Sequence, residues 1–209
     1  NLEGTFTDNP TVSNSERFQF TFDPRLVAML KDFGFDGFSL ANNHALDFGL
    51  DGFKNTQSIL EEQELFHFGS PNNDLNLSKK VTISGQTICF VGYHQLFTPN
   101  TSSVITELNN MRGECNYTVV FAHWGEGYQD FENERQGNIG HAFIDAGADL
   151  VIGAHPHVVQ PVEIYKDKAI FYSLGNFLFD QDFSLATRQG LAVRLTLTKD
   201  LQKFHLIPT

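Results

Sequence analysis

The chain has 209 residues, of which 41% are hydrophobic and 19% are charged. This size and composition are typical of one globular domain, and we predict a single domain over residues 1–209. The formal net charge of −11 at pH 7 argues against nucleic acid or an anionic membrane surface as a partner, because both are bound through Lys and Arg. An anionic substrate fits this charge only where the site itself is locally positive.

The first half of the chain alternates between strand and helix patterns. It opens with a stretch rich in Asn, Ser and Thr, which we predict to be a loop. Asp23 and Pro24 then indicate a helix start, because Asp is a favoured N-cap and Pro fits the first helical position. The predicted elements are a strand at 17–22, a helix from 23 to about 33, a strand at 35–40, a helix at 49–64 and a strand at 65–69.

The second half contains two predicted hairpins, with turns at Ser84–Gly85 and at Asp167–Lys168. Continuous apolar strands that alternate with helices predict a layered α/β fold, and the hairpins make its sheet mixed, not purely parallel. The predicted strands are 80–85, 86–93, 117–125, 148–157, 161–167, 168–176, 190–198 and 204–208, and the predicted helices are 103–112 and 134–146.

The two cysteines are Cys89 and Cys115. Cys89 lies in the apolar run TICFVGY and is predicted to be a small buried hydrophobic residue. Two cysteines do not form a disulfide framework, and the sequence leaves open whether they pair.

Asn and His residues follow the predicted strands at the points where these strands end. Asn43 and His44 follow the strand at 35–40, His123 follows an apolar run, and His155 and His157 follow the next one. In open α/β sheets, ligands bind outside the carboxyl ends of the strands, so these side chains are expected to form one site. Neutral imidazole and amide oxygen suit Zn, Mn, Fe and Ni better than Ca. The pattern therefore predicts a metal site.

Taken singly, each of these residues has a simpler interpretation. His155 and His157 could be exposed loop histidines, and His123 could be a structural residue at a strand end. The Asn-Asn-His segment at 42–44 could be a turn closed by an Asn side chain. The prediction of a metal site depends on their occurring together.

The remaining histidines are predicted to be structural, with one exception. His67 and His205 lie in strand patterns, and His141 lies in a helix pattern. His94 also ends a predicted strand, and it is a weaker candidate for lining the site because its hairpin strand could point it elsewhere.

Segments from most of the chain resemble the bacterial capsule-synthesis (CapA-like, poly-γ-glutamate synthesis) family of the calcineurin-like metallophosphoesterase superfamily. The resemblance implies a metallophosphoesterase-like fold of mixed sheets flanked by helices. The segments are NLEGTFTD (1–8), GFDGFSLANNHALDFGLDGFKNT (34–56), VVFAHWGEGY (119–128), IDAGADLVIGAHPHVVQPVEIY (144–165) and YSLGNFLFD (172–180).

The resemblance also implies a role for each matching residue. Asn43, His123 and His155 would ligate one metal ion, and His157 would reach a second. Glu3 stands where the superfamily usually has a bridging Asp.

The resemblance also implies roles in catalysis for residues at the same edge of the predicted sheet. His44 would be the general acid, Asp47 would orient it, and Asn176 follows a strand end there. The implied cofactors are one or two divalent ions, chosen from Mn, Zn, Fe and Mg.

One feature of the family has no counterpart in this sequence. Family members have a strand with a Gly-Asp motif several dozen residues before the Asn-Leu-Glu segment, and its Asp supplies a metal ligand. From the resemblance we therefore expect the opening strand of the fold to be missing and the part of the site served by His157 to be incomplete.

Three functions remain open at this point. The first is a metal-dependent hydrolase that acts on a phosphoester or an anionic polymer. The second is a non-catalytic polymer-binding or assembly subunit, and the third is a structural domain with a vestigial site. The resemblance implies an extracytoplasmic location, a membrane anchor in the full-length protein and a membrane-associated polymer synthase as a partner.

Overall fold

The computed structural model describes residues 1–9, 12–13, 18–97, 99–198 and 202–209. In this part of the chain the helices are α1 (Leu26–Asp32), α2 (Gly49–Glu62), α3 (Ser102–Asn110) and α4 (Glu134–Ala146), with a 3₁₀ turn at Ala186–Arg188. The strands are β1 (Thr5–Phe6), β2 (Val12–Ser13), β3 (Phe18–Gln19), β4 (Thr21–Phe22), β5 (Gly37–Ser39), β6 (Phe66–Phe68), β7 (Ser78–Ile83), β8 (Gln86–His94), β9 (Tyr117–His123), β10 (Leu150–Ala154), β11 (Val162–Tyr165), β12 (Lys168–Phe171), β13 (Leu191–Leu197) and β14 (Gln202–Pro208). None of the described helices is both long and apolar enough to cross a bilayer.

A six-stranded sheet in the order β11-β12-β10-β9-β8-β7 forms the centre of the fold. Its four inner strands run parallel, and the edge strands β7 and β11 are antiparallel because each belongs to a hairpin. The first hairpin turns at Ser84 and Gly85, which both have positive φ, as predicted. The second turns at Lys166 and Asp167, one residue earlier than predicted. The predicted mixed α/β fold is confirmed.

Alternating side chains on the inner strands bury both faces of this sheet. On β9, Val120 packs with Val104 of α3 and Phe143 of α4 on one face. Val119 and Phe121 pack on the opposite face, where the β13–β14 hairpin contributes Val193. The pair β5–β6 covers the same face through Phe66 and Phe68, whose rings contact Phe90 and Phe121. The sheet is therefore the middle layer of the fold.

The N-terminal region is more irregular than the sequence predicts. The predicted loop contains β1, which pairs with β4 in parallel, and β2, which pairs with β3. The predicted strand at 17–22 is two short strands, and residue 17 lies outside the described part. Asp23 closes the turn before α1 by accepting a 2.9 Å hydrogen bond from the Arg25 N–H. The helix itself therefore begins at Leu26, later than predicted.

An apolar cavity of about 470 Å³ lies where the N-terminal region meets the central sheet. Its walls include Phe38 of β5, Phe121 of β9, Ile152 of β10 and Leu191 of β13. The same cavity is also lined by polar side chains of the candidate site.

Cys89 and Cys115 form a disulfide, with their Cα atoms 5.9 Å apart. The bond joins β8 to the segment that precedes β9. Cys89 is fully buried, as predicted, but it is half of a cross-link and not a free hydrophobic residue.

Candidate metal centre

The carboxyl ends of the parallel strands deliver three imidazoles to one edge of the central sheet. His94 at the end of β8 pairs in register with His123 at the end of β9. His123 in turn pairs with Ala154 of β10, which directly precedes His155. The ring centroids lie 5.5 Å apart for His94 and His123 and 4.9 Å apart for His123 and His155. Sheet register alone therefore places these imidazoles side by side.

The turn after β10 has an unusual backbone that aims two histidines at this edge. His155 has φ +100°, a value that non-glycine residues rarely adopt, and His157 has φ +59°, in the left-handed region. The N–H of Tyr128 donates a 2.7 Å hydrogen bond to the Pro156 carbonyl between them.

Gly153 permits the close approach of the neighbouring strand, because a Cβ there would lie 1.9 Å from the Tyr172 carbonyl oxygen.

Oxygen ligands come from the N-terminal region. The Asn43 Oδ1 lies 2.7 Å from His123 Nε2. The Glu3 Oε1 lies 3.7 Å from His123 Nε2 and 3.7 Å from His157 Nε2. His157 is oriented from its other side, where Nδ1 lies 2.9 Å from the Asn176 Oδ1. The structure thus brings together every residue that the sequence analysis assigned to metal binding.

Asn42 connects the two oxygen-bearing segments. Its Nδ2 donates a 2.7 Å hydrogen bond to the Leu2 carbonyl, and its Oδ1 accepts one of 3.1 Å from the His44 N–H. The Leu2 N–H also donates to the Ser39 carbonyl. The position of Glu3 relative to Asn43 therefore depends on this buried amide side chain and on the backbone hydrogen bond between Leu2 and Ser39.

His44 and Asp47 form a partly buried pair beside this cluster. The Asp47 Oδ2 lies 2.7 Å from His44 Nδ1 and also accepts a 2.6 Å hydrogen bond from the Phe20 N–H. The Gln19 side-chain amide donates to the Asp47 carbonyl. The Phe20 ring lies 4.3 Å from the His44 ring, centroid to centroid. No sequence pattern indicates these Gln19 and Phe20 contacts, because they arise from long-range packing.

Residues 1–181 match a family described as bacterial capsule synthesis protein PGA_cap. The chain belongs to this family. It is 35% identical over 200 residues to the PGA biosynthesis protein CapA of Bacillus subtilis (strain 168), covering 87% of this chain and 52% of that protein. Its identity to the capsule biosynthesis protein CapA of Bacillus anthracis is 33% over 202 residues, with 86% and 46% covered. The chain therefore spans about half the length of these curated relatives.

Solved structures of proteins with low sequence identity to this chain show a similar fold. A hypothetical protein from Thermus thermophilus matches with a TM-score of 0.60 at 15% identity, covering 90% of this chain and 81% of that one. The NAD nucleotidase NadN of Haemophilus influenzae matches with a TM-score of 0.57 at 13% identity, covering 88% and 41%. The fold of this capsule-synthesis family member is therefore metallophosphoesterase-like, as predicted.

Several buried polar atoms in the site have no hydrogen-bond partner among the described residues. They include Glu3 Oε1, His94 Nε2, His123 Nδ1 and His155 Nδ1. Such atoms are rare in folded proteins, and each requires an explanation such as an ion or a water molecule. The carboxylate, amide and imidazole groups fit a transition-metal ion. Ligand atoms of Glu3, His123 and His155 all lie within 4.8 Å of one another, which is compatible with one shared ion.

Burial shifts the pKa values of the cluster, and the shifts of the imidazoles favour metal binding whereas that of Glu3 opposes it. Removal from water raises the pKa of Glu3, although the neighbouring His157 and His44 oppose the effect. Burial, followed by the charge that His157 would carry, lowers the pKa of His155 to about 4. Burial and the adjacent His155 hold the pKa of His123 well below its usual value. At neutral pH the imidazoles therefore keep their lone pairs for a ligand.

Proposed function

We propose that this protein is a divalent-metal-dependent hydrolase that acts in the synthesis or export of a poly-γ-glutamate capsule. The observation that carries the proposal is the Glu3 carboxylate oxygen, which is buried between His123 and His157 without a hydrogen-bond partner among the described residues. An isolated buried carboxylate is costly, and a cation in this position would stabilise it. The family membership supports the capsule role.

In this proposal, one ion would be held by Asn43, His123, His155 and Glu3, and a second would be held by His157 with Glu3. A bound divalent cation supplies Lewis acidity and lowers the pKa of water towards neutrality. It would also supply the local positive charge that an anionic substrate needs on a chain with a net charge of −11.

His44 is the general acid of the proposed reaction. Its Nδ1 proton is held by the Asp47 carboxylate, and the imidazolium form carries a second proton on Nε2. His44 donates this Nε2 proton to the leaving-group oxygen or nitrogen as the scissile bond breaks. Asp47 stabilises the imidazolium, and the Phe20 ring restricts the rotation of His44.

The first experiment is a titration of the metal-free protein with Mn²⁺ and with Zn²⁺, combined with hydrolysis assays. The substrates are bis(p-nitrophenyl) phosphate and poly-γ-glutamate, whose chain length is followed. We expect wild type to bind and hydrolyse, His155→Asn to lose both, and His67→Asn, a control outside the site, to keep both. Absence of cation binding would contradict the proposal. Binding without hydrolysis of either substrate would reject catalysis and favour the non-catalytic assembly role.

We also propose that the domain works outside the cytoplasm, with attachment to the membrane in the whole protein. The Cys89–Cys115 disulfide supports this location, because structural disulfides persist in oxidising compartments. Alkylation of the denatured protein, isolated from its own cells without reductant, tests the proposal. We expect no alkylated thiols at these positions, and full alkylation of both would contradict an oxidising location.

A further inference from the structure

His94 is a buried histidine that the proposed mechanism does not use. Its backbone is fixed by Asn73, whose amide oxygen accepts a 2.8 Å hydrogen bond from the His94 N–H and whose amide nitrogen donates one of 2.6 Å to the His94 carbonyl. Its ring Nδ1 lies 2.7 Å from the Pro71 carbonyl oxygen. A carbonyl oxygen only accepts, so Nδ1 carries the proton and Nε2 carries the lone pair.

The Nε2 of His94 is a fixed acceptor without a donor among the described residues. The residue is 0% exposed, and its Nε2 has no hydrogen-bond partner there. Leaving such a group unpaired destabilises the folded state. Outside the site, His67 and His141 each contact a carboxylate, Glu61 and Glu163 respectively, through Nε2 at 2.9 Å, although the His67 Nδ1 is also buried without a partner in the described chain. His94 differs from His67 because its ring neighbours that of His123, which also has an unpaired nitrogen. A purely space-filling role does not explain why His94 keeps an imidazole.

His123, on the adjacent strand, also has a buried ring nitrogen without a hydrogen-bond partner in the described chain. Its Nε2 faces the oxygen ligands, at 2.7 Å from the Asn43 Oδ1. Its Nδ1 is buried and has no hydrogen-bond partner in the described chain. When Nε2 ligates an ion, Nδ1 must carry the ring proton, and histidine ligands almost always donate that proton to an outer acceptor.

We propose that His94 is the positioning residue for His123, with its Nε2 accepting the His123 Nδ1–H through one bridging water molecule. The two rings are register partners, and their centroids lie 5.5 Å apart in an edge-to-face arrangement. The Pro71 carbonyl sets the His94 tautomer. When a cation takes the Nε2 lone pair of His123, His94 would favour the tautomer in which His123 carries its proton on Nδ1. This inference rests on the proposed metal site and extends it by one residue.

Two substitutions separate this role from simple packing. His94→Asn places a donor where Nδ1 lies and keeps the bond to Pro71, but it offers no acceptor at the Nε2 position. His94→Gln reaches the Nε2 position with an amide oxygen that can accept. His67→Asn is the control outside the site. Thermal unfolding of each metal-free variant checks that it folds.

Zn²⁺ affinity measured by calorimetry is the first readout. We expect His94→Asn to weaken binding by about 10-fold to 100-fold, the usual effect of losing an outer-shell partner. We expect His94→Gln to remain within about threefold of wild type, because the acceptor is restored. Equal affinities for wild type and His94→Asn would overturn the proposal, while loss of binding in His155→Asn would still uphold the metal site.

Ring-nitrogen NMR of the histidines gives a readout that does not depend on activity. In the Zn²⁺-loaded protein we expect His123 to be protonated at Nδ1, with a slowly exchanging ring proton that exchanges faster in His94→Asn. In the metal-free protein we expect His94 to be the Nδ1–H tautomer. A His94 protonated at Nε2 in either state would overturn the proposal, and so would a wild type that binds no cation, which would reject the proposed function as well.

Discussion

The two sides of the candidate site are held in different ways. On the sheet side, His94, His123 and His155 stand at the ends of adjacent parallel strands, so backbone pairing fixes their spacing. On the N-terminal side, Glu3 and Asn43 lie in irregular segments that are joined by the side chain of Asn42. The candidate nitrogen ligands therefore come from a rigid scaffold, and the candidate oxygen ligands come from irregular segments that a few hydrogen bonds position. Substitutions on the two sides should have different consequences.

The largest effect that we expect is a loss of hydrolysis without a loss of cation binding, and it comes from a substitution on the N-terminal side. His44→Ala removes the proposed general acid, and we expect the hydrolysis rate to fall by about 100-fold to 10,000-fold. Cation affinity should stay within about threefold, because no metal ligand is lost. Steady-state kinetics and calorimetry on the same preparation check this. Unchanged turnover would remove His44 from the mechanism.

Lowering the pH should reduce the free energy of unfolding of the metal-free protein, because of the buried imidazoles on the sheet side. The pKa of His94 and that of His155 are both lowered to about 4, so the unfolded chain takes up protons before the folded chain as pH falls below about 6.5. Their contribution to stability is therefore complete above pH 6.5 and is lost as pH falls towards 4. By pH 5 the loss is about 2 kcal/mol for each residue.

Glu3 opposes this loss of stability as the pH falls, because its raised pKa makes the folded chain take up a proton more readily than the unfolded chain. Urea unfolding between pH 7.5 and 5 measures the balance. We expect the three lowered imidazole pKa values to dominate and His94→Gln to reduce the loss by about 2 kcal/mol. A free energy of unfolding that does not change over this range would contradict the described burial of the imidazoles.

Gly153 tests the rigidity of the sheet side. A Cβ at this position would lie 1.9 Å from the Tyr172 carbonyl oxygen and 2.5 Å from Trp124 Nε1, so Gly153→Ala must displace backbone. We expect a loss of about 3 kcal/mol in the free energy of unfolding, at the upper end of the cost of overpacking. Gly127→Ala, where a Cβ would meet nothing within 4 Å, is the matched control. Equal stability of the two variants would show that β10 tolerates displacement.

The smallest effect concerns the link between the oxygen-bearing segments. Asn42→Ala removes the hydrogen bonds to the Leu2 carbonyl and the His44 N–H. We expect cation affinity to fall by about 10-fold, the lower range for loss of an outer-shell contact, while the sheet retains its structure. Calorimetry measures the affinity, and circular dichroism checks the fold. Wild-type affinity would show that Glu3 is positioned by other contacts.

The same contrast explains how much the sequence predicts. His123 and His155 could be assigned because they directly follow apolar strands, whose ends share one edge in a parallel sheet. Asn42, Phe20 and Gln19 could not, because their contacts join segments far apart in the chain and depend on packing. The short strands β1 and β2 were also missed, since two-residue pairing leaves no periodic pattern to recognise.

The pairing of Cys89 with Cys115 likewise needed the structure. The cysteines are 26 residues apart, and only the placement of β8 beside the start of β9 brings them together.

The second hairpin turn lies one residue earlier than predicted, for a local reason. Lys166 and Asp167 both adopt positive φ, a conformation that the sequence pattern around Tyr165 and Lys168 did not indicate.

The most direct test of the central claim compares wild type with Glu3→Gln by thermal unfolding, each with and without Zn²⁺. The substitution removes a buried carboxylate whose charge is unfavourable without a cation, so the metal-free variant should be at least as stable as wild type. Zn²⁺ should stabilise wild type strongly and the variant by little, because a ligand that binds the folded state adds stability according to its affinity. Lower stability of the metal-free variant together with full Zn²⁺ stabilisation would contradict a cation site at Glu3.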